Sequence, residues 1–154
     1  MEENWRDLFL LTAVEEQFQL NSKELLSRCD NSELYRIDLE KFEDICNEFQ
    51  RMKIDANELI CLKSFVLFQP SFKNLFHDLS TINYLHHQAQ LLLNTYIQKQ
   101  YPFDEHRFFK YFTLISSFHS ISSSTIEEIF FRKTIGEQTH MEQLVKDMYQ
   151  MAVH

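Results

Sequence analysis

Glycine and proline are nearly missing from this chain: its 154 residues hold 1 Gly and 2 Pro. Together these two residues usually make up about 12% of a protein. A β-rich domain of this length needs many tight turns, which draw on both, so a sheet-based fold is excluded. Phosphate-cradling loops need several glycines at fixed spacing, and a nucleophile elbow needs glycine around its serine. Neither can be written here. A basic surplus is missing too. Fifteen Lys and Arg stand against 23 Asp and Glu, a formal charge of −8, which is unfavourable for binding phosphate backbones. No run of about 18 apolar residues is present, so no membrane span is expected. The N-terminus, MEENWRDLFL, lacks the basic opening of a signal peptide. Cysteines are few: Cys29, Cys46 and Cys61, odd in number and far apart. They read as reduced core thiols, not as a disulfide frame or a zinc site.

What is present is apolar and periodic. Hydrophobic residues make up 44% of the chain and aromatics 14%, with 15 Phe, enough for one domain with a real core. Residues 4–18 place Trp5, Leu8, Phe9, Thr12 and Ala13 along one helical stripe. Residues 19–26 carry weaker signals and read as a short irregular piece. Asp30, Asn31 and Ser32 suit an N-cap and open a helix with apolar positions Leu34, Ile37, Phe42, Ile45, Phe49 and Met52. Residues 55–57 cap a helix over 58–68 that is apolar nearly all round and belongs in the middle of a domain; Pro70 marks its end. The longest helix covers 83–101, with Leu85, Ala89, Leu92, Leu93, Tyr96 and Ile97 on one face, and Pro102 ends it. Asp104 caps the next, whose face is Phe108, Tyr111, Phe112, Ile115 and Phe118. Ser124 and Glu127 fit a capping box that restarts a helix through Phe131. Gly136 suits a left-handed C-cap, and Thr139 with Glu142 forms another box opening a last helix with Leu144, Val145 and Met148.

Catalytic constellations are absent. His86 and His87 are neighbours, about 100° apart on a helix, and cannot grip one metal as an i, i+4 pair does. They read as solvated helix-surface groups, as do the pairs Glu15–Glu16 and Glu127–Glu128. No enzyme activity, cofactor or metal is expected.

Several segments carry something more specific, in a fixed order. Near the start stands WRDLFLL (residues 5–11). In the middle, ELICLK (58–63) is followed by Val66, Leu67 and Phe68. Gln88-Ala89-Gln90 and Tyr96 precede Tyr101-Pro102. Arg107-Phe108 then leads through a long apolar helix to SISSSTIEEIFFRKTIG (120–136) and the short LVKDMY (144–149). Taken in this order, the segments resemble the ligand-binding domain of nuclear hormone receptors, and the last two look most like the tailless subfamily of orphan receptors. The resemblance implies an all-α, layered antiparallel helical domain. Residues 1–154 would be a partial domain, running from the tryptophan helix to the C-terminal activation helix. The N-terminal helices and the zinc-finger DNA-binding domain would be missing. Two further departures are Glu15 and Glu16, where relatives tend to have Gln and a large aromatic, and Gln19, where they tend to have Pro.

The resemblance also assigns roles. The last helix, residues 140–150, would dock over the domain or swing away to shape a groove for corepressor or coactivator helices, with Leu144, Val145, Asp147 and Met148 in contact. A helix of about ten residues is not stable alone in water, and the competing reading is a frayed tail. Asp147 falls at the acidic clamp position, and a carboxylate suits it because a partner helix offers free N–H groups and a positive dipole at its N-terminus. Gly136 would be the hinge. Phe108, Tyr111, Phe112, Ile115 and Phe118 match the region receptors use to form homodimers, and equally read as ordinary core. Glu58 and Arg107 fall where receptors tend to carry a salt bridge, which fixes register if buried and bidentate and is worth little if exposed. A small lipophilic ligand is left open: the Phe content suggests that any cavity is largely filled by side chains. DNA would be bound only by the missing zinc-finger domain, and the whole receptor would act in the nucleus as a repressor. The competing function is a generic intracellular helical interaction module. If helices are missing, the apolar faces of 5–18 and 58–68 are expected to lie uncovered.

Overall fold

A computed structural model of the chain describes residues 4–16, 32–70, 79–131 and 140–153. Every regular element among the described residues is helical. They are α1 (Trp5–Glu15), α2 (Ser32–Met52), α3 (Ala56–Leu67), α4 (Leu79–Gln100) and α5 (Arg107–Ser117). A 3-10 turn (Phe118–Ser120), α6 (Ser123–Ile126), a π turn (Glu127–Phe131) and α7 (Met141–Val153) follow. The expected irregular piece at 19–26, the caps Asp30 and Asn31, Cys29, Gly136 and Thr139 lie outside the described residues.

The near-continuous apolar character of α3 puts it in the middle, as its sequence implies. It packs between α1 and α4, while α5 packs on α4 and α2. Leu59, Leu62 and Val66 of α3 meet Leu10, Leu11 and Val14 of α1, Phe42, Ile45 and Phe49 of α2, Leu93 and Ile97 of α4, and Tyr111 and Ile115 of α5 in one core. Among the described residues, Leu10, Leu11, Ala13 and Val14 of α1 and Leu59, Leu62 and Val66 of α3 are covered within the chain, Cys61, Phe65 and Leu67 are half-buried, and Ile60 is 62% exposed. Phe49 stacks near Tyr111 and Phe118, with ring centroids 6.0 and 6.3 Å away. Aromatic bulk thus fills the centre.

Several readings of the sequence are corrected by the structure. In α1 the deeply buried residues are Asp7, Leu10, Leu11, Ala13 and Val14; of the expected stripe only Ala13 is among them, while Trp5, Leu8 and Phe9 are half-buried and Thr12 is exposed. Trp5 and Phe9 lie half-buried against Phe131, at 6.3 and 4.8 Å, so α1 is covered on two sides. One stripe cannot describe a helix buried twice. Leu34 and Ile37 at the start of α2 are exposed, and so is Leu92 of α4. His86 is not simply solvated: its Nδ1 lies 2.9 Å from the Phe65 carbonyl and its ring 4.1 Å from that of Phe65. Cys46 is buried, which with the nearby Glu43 charge pushes its thiol up to about 12, as an inert core thiol should be.

The joint between α2 and α3 is tight and uses no glycine. Lys53 adopts φ 51°. Its amide donates to Gln50 and that of Ile54 to Phe49 (3.0 and 3.4 Å), the Schellman pattern that ends a helix. A left-handed residue with a Cβ costs about 1 kcal/mol. The turn leaves the Met52 and Lys53 carbonyls pointing inward, toward an arginine.

Candidate functional site

That arginine is Arg107, at the first turn of α5. Its Nε and Nη2 donate to the two oxygens of Glu58, at 2.5 and 2.8 Å, and its Nη1 donates to the Met52 carbonyl at 2.7 Å. The Lys53 carbonyl takes a longer bond from Nη2, 3.4 Å. Both side chains are buried, Glu58 completely. The expected pair is thus the buried, bidentate kind. Tyr111 adds a third donor, its hydroxyl 2.7 Å from Glu58, and the guanidinium centre sits 3.9 Å from the Tyr101 ring centroid. The hydrogen bonds that Arg107 donates to Glu58 raise its pKa further above its usual range; burial, together with the Glu58 carboxylate, raises that of the Tyr111 hydroxyl.

A second carboxylate extends the node. Asp55 is the N-cap of α3 in a full capping box: it accepts from the Glu58 amide at 2.9 Å while Glu58 accepts from the Asp55 amide at 3.0 Å. Tyr96 and Tyr101 also donate to it, at 2.9 and 2.8 Å. That bond to Asp55 pushes the Tyr101 hydroxyl up to about 12. Partial burial works against the Asp55 carboxylate, but the bonds it accepts outweigh burial and hold its pKa below the usual carboxyl range. A depressed folded-state pKa contributes stability that is present above the unfolded value of about 3.9 and is lost as pH falls through the folded value. Acid titration of the wild-type chain should show this loss below about pH 4. Asp55→Asn should lower stability at neutral pH and flatten that limb; a mutant curve parallel to wild type would remove the assignment.

α5 and the 3-10 turn after it carry the residues matched to a dimer face, and three of them take the core position that the sequence equally allows. Tyr111, Ile115 and Phe118 are core residues of this chain, unavailable to a second copy. Phe108 and Phe112 are half-buried, 4.7 Å apart. The outward aromatics are Phe109 (68% exposed) and Phe103 (99%). Phe109 lines a surface cavity of about 460 Å³ between the end of α4 and the start of α5, walled also by Ile97, Tyr101, Pro102 and Phe108. The N-cap position of α5 holds His106 rather than Asp104. The Asp104 carbonyl accepts the Arg107 amide at 3.3 Å.

The last helix runs from Met141 to Val153, longer at its end than the sequence suggests. Leu144 and Val145 are half-buried and Met148 is 59% exposed. Asp147 is exposed and accepts a bond from Gln143 Nε2 at 2.7 Å, one turn earlier. The structure brings these four residues together on one short helix, with an acidic group beside apolar ones. The Glu58–Arg107 node is built from α3 and α5 and includes none of these four residues.

The segment before the last helix differs from its expected form. Ser122, not Ser124, caps α6, accepting from the Thr125 amide at 3.3 Å. The serine-rich run offers several possible caps, and Asp38 of α2 selects one. It accepts from the Ser122 amide at 3.1 Å and the Thr125 hydroxyl at 2.5 Å. Glu127, expected to complete a capping box, opens the π turn instead and is buried, with its carboxylate directed at α7.

The family model for the ligand-binding domain of nuclear hormone receptors matches residues 5–135. The chain belongs to this family. Protein tailless of Drosophila virilis is 29% identical over 97% of this chain and 41% of its own length. The mouse and rat proteins named nuclear receptor subfamily 2 group F member 6 are each 27% identical, over 94% of the chain and 39% of their own length. The chain therefore spans about two fifths of the curated relatives it matches. The likeness to the tailless protein agrees with the segments that carried the resemblance. At Glu15, where the sequence departs from the family pattern, the structure supplies a partner: its carboxylate pairs with Lys63, linking α1 to α3. Among the described residues, no helix is long and apolar enough to cross a membrane.

Proposed function

We propose that this nuclear receptor ligand-binding domain recruits co-regulator proteins through α7, in the mode where an amphipathic helix seats in a groove, and that it serves transcriptional repression by binding corepressors. The observation that carries this reading is the placement of Asp147 beside Leu144, Val145 and Met148 on a short exposed helix. Apolar side chains supply contact area. The carboxylate accepts the free N–H groups at the end of a partner helix and complements its dipole. The activity is one of binding and not of catalysis. The packed aromatic centre supports regulation without a small lipophilic ligand. A receptor dimer, in this reading, uses the outward edge of α5 around Phe108, Phe109 and Phe112, because Tyr111, Ile115 and Phe118 face inward. A full-length receptor would bind DNA through a zinc-finger domain and act in the nucleus.

The test is a titration of a labelled corepressor-type helical peptide with the chain and with Asp147→Lys. The charge reversal should weaken binding at least about tenfold, or ~1.4 kcal/mol, without moving the thermal midpoint, since Asp147 is exposed. Equal affinity for the two proteins would remove the receptor-type role of α7 and leave a generic helical interaction module.

A further inference from the structure

Glu127 is a buried carboxylate that the core does not use. It lies where the chain leaves α6, in a segment tied to α2 by the two bonds to Asp38. Its Oε1 accepts the backbone amide of Met141 at 2.8 Å, and its Oε2 lies 3.1 Å from His140 Nδ1. Met141 is the first residue of α7. An α-helix begins with N–H groups that have no partner inside the helix, and the dipole makes that end positive. A carboxylate on another element can therefore do what an N-cap side chain does, while also tying the helix to the body. The tie is a strong one, because a charge-assisted bond is shorter and stronger than a neutral one and because a buried acceptor left without a donor is costly.

The geometry points to Glu127 as the positioning residue of the co-regulator helix: its carboxylate, seated on the Asp38-anchored segment, grips the Met141 amide and His140 and so sets where α7 begins. This rests on the proposed role of α7 only for what the helix is for; the grip itself belongs to the chain without any partner. The π turn that starts at Glu127 is consistent with this. π turns are rare and frequently occur at functional sites. The same widened turn seats Phe130 and Phe131 on Phe9, so one segment holds α1 by its aromatics and α7 by its carboxylate.

The experiment is amide hydrogen exchange of the full chain, with no peptide present. Met141→Pro deletes the gripped N–H and little else, since proline is well tolerated at the first position of a helix. Met141→Ala removes the side chain but keeps the N–H. Exchange protection of the amides from Val145 onward should fall at least tenfold in Met141→Pro and in Glu127→Ala, relative to Met141→Ala and wild type. Glu127→Gln, which keeps an oxygen acceptor, should recover part of the protection. Protection in α2, α3 and α5 should be unchanged in Met141→Pro, a selectivity that a general loss of folding would not give. Equal protection of α7 in Met141→Pro and Met141→Ala would overturn the proposal. So would a loss in Met141→Pro that spreads evenly over the core helices. Failure of co-regulator peptides to bind wild type would sink the role of α7 and leave this result untouched.

Discussion

Glu58→Ala should be among the most damaging single substitutions in the chain, lowering stability by about 3–5 kcal/mol. The reason is what it leaves behind. Arg107 would keep its bonds to the Met52 and Lys53 carbonyls but would be a buried cation whose remaining anion, Asp104, is a partly exposed carboxylate 3.8 Å away. The Tyr111 hydroxyl would lose its acceptor, and α3 would lose half of its capping box. Urea denaturation of the two proteins measures the difference. The double substitution Glu58→Leu with Arg107→Met should recover a substantial part of the loss, because replacing both members of a buried pair by apolar groups removes the stranded charge. Equal stability of Glu58→Ala and wild type would mean that the node is solvated in solution and does not fix the register of α3 on α5.

Phe118→Ala should cost about 3–5 kcal/mol as well, by a different mechanism. Phe118 is completely buried and lies near Phe49, which in turn stacks near Tyr111. Truncation leaves a cavity that close-packed rings cannot collapse to fill. Phe109→Ala, nine residues earlier on the outward side of α5, should change monomer stability by no more than about 0.5 kcal/mol. Paired melts and sedimentation velocity separate the two cases. If Phe118→Ala melted like wild type and only shifted the chain from dimer to monomer, the inward assignment of this face would be wrong, and the whole apolar face of α5 would belong to a partner.

Much of this architecture was legible in the sequence. The order of segments identifies the family before any coordinates. Amphipathic stretches such as Phe42–Ile45–Phe49 and Ala89–Leu93–Ile97 declare their buried faces through period alone. Glu58 and Arg107 could be paired because the resemblance places them opposite each other, although neither spacing nor charge indicates burial. Three kinds of feature stayed hidden. Backbone acceptors carry no residue signature, so the Met52 and Lys53 carbonyls that help hold Arg107 could not be read. The left-handed turn at Lys53 lacks the glycine that usually marks such a joint, and scarce glycine therefore marks too few of the joints. Side chains with several local options resolve only in tertiary context: Ser122 is chosen over Ser124 because Asp38 faces it, and Glu127 abandons a local box for the amide of Met141. The α1 stripe holds only in part for a related reason, since a helix covered on two sides has no single stripe to find.

The central claim is that α7 is the surface on which co-regulator helices dock. Hydrogen exchange of the chain with and without a saturating corepressor-type helical peptide tests it most directly. The account predicts slowed exchange concentrated in α7, around Leu144, Val145, Asp147 and Met148. Slowing confined to the cavity between α4 and α5, with α7 unchanged, would contradict it.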